Sequence, residues 1–369
     1  MFSIKQSLFA GVALAAVIAG STGAFAQTVV DQTAKNYSDV TNSTKQDPSS
    51  VNVDGRLGTG ASASVGATGA VASTSVSSIN TAANPPAGGF GKIDQKAVNT
   101  GDIKNNHASV TVDGRLKTGA SASVAATGAV ASTSFSTVGG SMPGIKTGDV
   151  KQTATNGGDV SNRKATVEVG RLSGDGSSAS IGATGAVASV SDSSIDSSAG
   201  KVKIGDVKQK VSNGGDVDNS GKITAGRLSG DGSSVSISAT GAVASVSDSS
   251  IDSTVGSLKI GDITQKVSNS GDINNSGKIT AGGLSGTGSS ASVSASGAVA
   301  SVSDSSINAT GTPGPITIAS ITQTATNHSD SPVTNTGTIN LSGGLGTGAS
   351  ASVSAMGAGA VASFSSVKH

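Results

Sequence analysis

Acid–base chemistry would have to come from three histidines, His107, His328 and His369. A hydrolase or transferase needs a nucleophile, a base and an orienting group that converge once. These three fall at unrelated points of a repeating sequence and read as solvated loop residues, so no catalytic residue is expected. Gly174-Asp175-Gly176 and Gly230-Asp231-Gly232 have the look of glycine-rich ligand loops. Neither is followed by a phosphate-binding lysine motif or a helix to receive an anion, and turns account for both. Cysteine is absent, which excludes disulfide staples and thiolate metal sites. Carboxylates recur: Asp192 with Asp196, Asp248 with Asp252, and the pairs Asp206/Asp216 and Asp262/Asp272 that flank equivalent strands. Stacked, they would offer oxygen donors to calcium. The glycine–aspartate nonapeptide that binds calcium is missing, however. They read as edge charges that discourage wrong pairing, and no metal or cofactor is expected.

Charge narrows the partners. Lys plus Arg number 24 against 23 acidic residues, a net of +1. Nucleic-acid binding needs a concentrated basic stripe, so no nucleic-acid partner is expected. Arg56, Arg115, Arg171 and Arg227 do recur in four successive copies, with Gly283 and Gly344 in their place in the last two. Stacked, they would form a column, and neighbours such as Asp54 and Asp113 suggest local ion pairing.

The residues with the strictest spacing are amides. Six times an aliphatic residue is followed at alternate positions by Gln, by Ala or Val, and by Asn. The pairs are Gln32/Asn36, Gln95/Asn99, Gln152/Asn156, Gln209/Asn213, Gln265/Asn269 and Gln323/Asn327. In a strand every second side chain points the same way. Gln and Asn therefore share a face with the aliphatics, while Lys208, Lys210 and their counterparts face outward and vary. Amides on an apolar face are satisfied when copies stack in register, each donating to and accepting from its equivalents.

The elements that must hold these amides repeat every 56 to 63 residues or so, at about 28–80, 91–138, 145–198, 202–254, 258–310 and 316–367. Each copy reads as four segments. The amide strand comes first, then an aliphatic-x-Asn step such as Val217-Asp218-Asn219, which runs through an Asn/Gly turn to Ile223. A glycine-rich bend follows and leads into Ser-x-Ser alternation. The fourth segment is Gly-Ala-Val-Ala-Ser, whose small residues could lie flat against another sheet. Variable connections containing Asn84-Pro85-Pro86, Met142-Pro143-Gly144 and Thr312-Pro313-Gly314-Pro315 project between copies and are the expected contact loops.

Such a period identifies one supersecondary unit that closes its core only against neighbours. Aromatics make up 2% of the chain, so the core must be thin. The fold class expected is all-β, a β-solenoid or cross-β stack of six units, with a six-bladed propeller as the alternative. Propeller blades wedge together on bulky aromatics, which disfavours the ring.

Residues 1–26 carry Lys5, an apolar run from Leu8 to Ala19 and the small-residue pattern Ala24-Phe25-Ala26, a secretory signal peptide by its layout. The apolar run is shorter than the roughly 20 residues of a membrane-spanning helix. Residues 27–369 are then one exported repetitive domain with no transmembrane segment after cleavage, secreted or held at the cell surface.

The export signal, imperfect repeats and inward Gln and Asn resemble, in style, the fibre subunits of bacterial functional amyloids of the curli type. The Asn-x-Gly-x-Ile steps equally resemble rungs of exported β-helix adhesins. The first resemblance implies a structural protein that polymerises with itself into a surface or matrix fibre. The second implies a monomeric adhesin or ligand-binding module that meets cell-surface or matrix components. A flat Thr/Ser/Ala face that binds ice or mineral is a weaker alternative, since regular Thr-x-Thr rows are lacking.

Overall fold

In the computed structural model, which describes residues 14–15, 28–43, 45–46, 48–81, 89–142, 146–199, 201–251, 257–307 and 316–367, every regular element is a β-strand. All sheets are parallel, and each repeat adds one rung to them. The fourth repeat shows the plan, with strands Val207–Asn213, Val217–Asn219, Lys222–Ala225 and Ser234–Ile251. The first three belong to three front sheets, here the amide, step and isoleucine sheets. The fourth belongs to a long back sheet that faces all three.

The order of strands in every sheet follows the order of repeats, with the first and sixth copies at opposite edges. Six units therefore form a linear β-solenoid, and the propeller alternative is wrong: nothing brings the sixth copy beside the first. The register is strict. Val207, Gln209, Val211 and Asn213 lie opposite Val150, Gln152, Ala154 and Asn156 on one side and Ile263, Gln265, Val267 and Asn269 on the other.

The division into four segments needs two corrections. The aliphatic-x-Asn-to-Ile segment is two short strands on two different sheets, because the Asn219-Ser220-Gly221 turn redirects the chain before Ile223. Conversely, Ser-x-Ser and Gly-Ala-Val-Ala-Ser are one continuous strand of 18 residues in the fourth repeat. Inward alternation along it slips by one at Thr240-Gly241, from Val235, Ile237 and Ala239 to Ala242, Ala244 and Val246. Every back strand makes the same slip in register with its neighbours, so the slip is a kink shared by all rungs and lets one strand serve more than one front sheet.

The core is a thin layer between back and front, divided into four apolar columns. Ile181 and Ile237 meet Val167, Ile223 and Leu228 behind the isoleucine sheet. Ala183 and Ala239 meet Val160 and Val217 behind the step sheet. Ala186 and Ala188 meet Ala154 and Val211, and Val190 meets Val150 and Val207, behind the amide sheet. Each wholly buried Ile or Leu contributes about 1.5–3 kcal/mol. The alanines contribute little area but allow the sheets to approach closely.

Leu14 and Ala15, inside the expected leader, pair with Thr74 and Ser75 at the first edge of the back sheet. Among the described residues no helix is long and apolar enough to cross a membrane.

Candidate functional site

Strand alternation carries Gln and Asn inward, and exact register turns them into columns. Gln152 Nε2 donates to Gln95 Oε1 at 2.9 Å, Gln209 to Gln152 at 2.9 Å, Gln265 to Gln209 at 2.9 Å and Gln323 to Gln265 at 2.9 Å. Gln95 donates to Gln32 Oε1 at 3.1 Å. The second Nε2 hydrogen crosses the core to a back-sheet carbonyl, Ser189 for Gln152, Ser245 for Gln209 and Ser301 for Gln265.

The asparagine column runs with the opposite polarity. Asn36 donates to Asn99, Asn99 to Asn156, Asn156 to Asn213, Asn213 to Asn269 and Asn269 to Asn327, at 2.6–2.8 Å. The other hydrogen of each inner amide caps its own turn, as Asn213 does on the Gly215 carbonyl at 2.7 Å. All twelve predicted residues are thus brought together into two ladders, buried in the inner rungs.

A third amide column was read in the sequence only as a turn marker. Asn219 donates to the carbonyls of Ser238 and Ile181, Asn275 to those of Ser294 and Ile237, and Asn335 to those of Ser354 and Val293. These side chains bolt the step sheet to two rungs of the back sheet at once. Their repetition in phase with Gln was the available signal. The neighbouring glycine hid it by supplying a turn explanation.

The ladders also explain the glycine of Gly-Ala-Val-Ala-Ser. A Cβ on Gly185 would lie 2.1 Å from Asn213 Oδ1 and 2.5 Å from the Gly241 carbonyl oxygen. Any side chain there would displace the amide of the next rung.

Aspartates form columns too, a stacking that their reading as edge charges did not include. Asp39, Asp102, Asp159 and Asp216 each accept, through Oδ1, the main-chain N–H of the next rung's aspartate at 2.9–3.1 Å. Asp149 and Asp206 do the same for Asp206 and Asp262, and Asp175 for Asp231. The last bond, together with a left-handed Gly176 at φ 66°, makes the Gly-Asp-Gly segments stacked turns. The Lys104 ammonium, 2.9 Å from Asp102, holds that carboxyl below its usual range, helped by the Asp159 N–H and opposed by burial. Lys104 is raised in turn by Asp102. Arg163, paired with Asp218, is raised by that contact.

Asp192, Asp248 and Asp304 lie opposite one another in the back sheet. Their side chains, like Asp252 and the proline-containing connections, lie outside the described residues. No group of three or more metal-ligating residues occurs among those described.

His107 occupies a left-handed turn position at φ 62° in the second repeat, and His328 lies beside Asn327 in the sixth. The structure does not bring these two together; His369 is outside the described residues. The arginine column forms as read, but the expected pairing with Asp54 and Asp113 does not: neither contact is an ion pair.

The described interior is filled by aliphatic side chains and the amide ladders. What the arrangement offers is its ends. In the sixth rung Leu345 is 58% and Val353 48% exposed, whereas Leu57 and Val65, in the same columns at the first rung, are 8% and 6% exposed. No protein-family model, curated protein or solved structure matches this chain.

Proposed function

We propose that this chain is an exported structural subunit whose copies extend one another's stack end to end, building a cell-surface or extracellular-matrix fibre. One observation carries the reading. The sixth-rung strands Ile316–Asn327, Val333–Asn335, Thr338–Leu341 and Ser350–Val367 contain no Lys, Arg, Asp or Glu. Edge strands are ordinarily blunted by charge, proline or a cover, because open N–H and C=O groups recruit other strands. Here the edge strands are uncharged, their core columns are half-buried on the front and exposed on the back strand, and Gln323 and Asn327 repeat the spacing that every inner rung uses to receive a neighbour. The first rung of a second copy, Thr28–Asn36 with Val30, Gln32, Ala34 and Asn36, has the matching pattern.

The leader fits the same reading. Cleavage after Ala26 would strip Leu14–Ala15 from the edge of the back sheet, freeing that edge once export is complete. The test is electron microscopy and fibre diffraction of the secreted protein. Filaments with a meridional reflection near 4.7–4.8 Å, the strand spacing, are expected. A double variant Val353→Lys/Ala355→Lys, which charges only the sixth rung, should remain folded and monomeric. A native chain that stays monomeric at high concentration would refute the proposal.

A further inference from the structure

The arginine column has no side-chain partner among the described residues. Arg115 lies opposite Arg171. The carbonyls of Arg115, Arg227, Gly283 and Gly344 accept the N–H of Leu57, Leu172, Leu228 and Leu284 at 3.0–3.2 Å. Residues 56, 115, 171, 227, 283 and 344 are therefore one file along the stack, one strand spacing, about 4.8 Å, apart. All four arginines are exposed. None makes an ion pair or side-chain hydrogen bond with another described residue.

The amide and aspartate columns are settled internally. Gln and Asn bond to one another, and Asp bonds to the next rung's N–H. Four like charges held in line, none of them ion-paired among the described residues, repel one another, and an anion of matching repeat removes that repulsion. Guanidinium groups present a planar fork that suits carboxylates.

We propose that Arg56, Arg115, Arg171 and Arg227 form a binding track for a linear carboxylated polysaccharide lying along the solenoid. A small anion would meet one arginine, whereas a linear polymer meets all four and releases its counterions together. Asp54, Asp113 and Glu168, exposed beside the file, confine the partner to a single narrow chain and repel a duplex. Nucleic-acid strands without sequence preference are held largely by stacking on aromatic side chains, and the residues flanking the file are glycine, leucine and acids. Past Arg227 the file becomes Gly283 and Gly344, and an open cleft of about 220 Å³ lies between them, Arg227 and Ser285. The missing side chains let the polymer continue over the last two rungs. The proposal stands on the file itself and is independent of whether copies polymerise.

The test measures binding of polygalacturonate to the full secreted chain over a salt series, beside neutral dextran and a single-stranded DNA oligonucleotide. The triple variant Arg115→Gln/Arg171→Gln/Arg227→Gln should keep its circular dichroism, because these side chains are exposed. It should bind polygalacturonate about tenfold or more weakly, with a shallower salt dependence. Arg171→Lys alone should retain most binding, and Lys151→Gln/Lys208→Gln on the amide sheet should change nothing. Three results would each overturn the assignment: no binding of polygalacturonate by the native chain, undiminished binding by the triple variant, or arginine-dependent binding of DNA tighter than that of polygalacturonate.

Discussion

A buried amide is costly alone and favourable in a column, and this decides what single substitutions do. Gln209 donates to Gln152 Oε1 and the Ser245 carbonyl and accepts from Gln265. Gln209→Leu leaves three groups short of a partner, and at about 1 kcal/mol or more each the loss should be about 3 kcal/mol. Gln323→Leu removes bonds only to Gln265 and Val361 at a half-open rung, and should cost about 1 kcal/mol. Urea denaturation of both variants checks the contrast; equal losses would mean that the ladder is not cooperative. Asp102 supplies a pH dependence. Its carboxyl is depressed by Lys104 first and by the Asp159 N–H second, so its stabilisation is present above the ordinary carboxylate value and is lost as pH falls through the lowered one. Asp102→Asn should therefore narrow the drop in melting temperature below about pH 4, by a small amount because the pair is exposed and screened by salt. At this scale Gln and Asn were legible because their spacing is periodic. The opposed polarities of the two ladders were not, since each amide's orientation is set by which back-sheet or turn carbonyl takes its second hydrogen. The same holds for Asn219, whose bonds reach residues 19 and 38 positions away.

Strand by strand, the sequence showed periods and hid joints. Ser-x-Ser alternation and Gly-Ala-Val-Ala-Ser looked separate because the inward set slips at Thr240-Gly241, and a slip in period resembles a chain break. The slip is needed because one back strand must present Ile237 to the isoleucine sheet and Ala242 and Ala244 to the amide sheet. The short step strands were merged with their successors because three residues are too few to display an alternation. Glycine at the slip gives this scale its prediction. Gly185→Ala drives a methyl group into Asn213 Oδ1 and the Gly241 carbonyl, neither of which can retreat without breaking a ladder bond. A loss of about 2–3 kcal/mol, in the range of overpacked cores, is expected. Gly357, the corresponding glycine of the sixth rung, has nothing nearer a built Cβ than Asn327 Cβ at 3.9 Å. Gly357→Ala should stay within about 0.5 kcal/mol of the parent. Thermal melts of the pair decide whether the glycine serves the ladder or merely loosens the strand, since a loosening role would make the two variants alike.

For the whole molecule, six copies and a thin aromatic-poor core were enough to favour a line over a ring. What could not be read was that one end is left uncovered, because exposure of Leu345 and Val353 depends on how rungs cap one another and not on any local pattern. The linear plan makes stability a sum over rungs and their interfaces, and this can be tested without touching an end. Deleting residues 207–262 removes one complete turn, including Val207–Asn213, Val217–Asn219, Lys222–Ala225 and Ser234–Ile251. It joins Asp206 to Ile263, so Gln152 meets Gln265, Asn156 meets Asn269 and Val150 meets Ile263, pairings already compatible because each residue now stacks on the same intermediates. The shortened chain should fold cooperatively, with an axis shorter by one strand spacing of about 4.8 Å. Its fibres, if the parent forms them, should give an unchanged reflection. Deleting 207–233 instead removes the front of one rung while keeping its back strand, so Ser234–Ile251 has no amide, step or isoleucine strand to face. That variant should lose cooperative unfolding, because Ile237, Ala242 and Val246 are then covered on one side only. Circular dichroism with urea titration separates the two. If the larger deletion proves the more damaging, stability does not reside in whole interchangeable rungs, and the account of a linear stack closed by its own register fails.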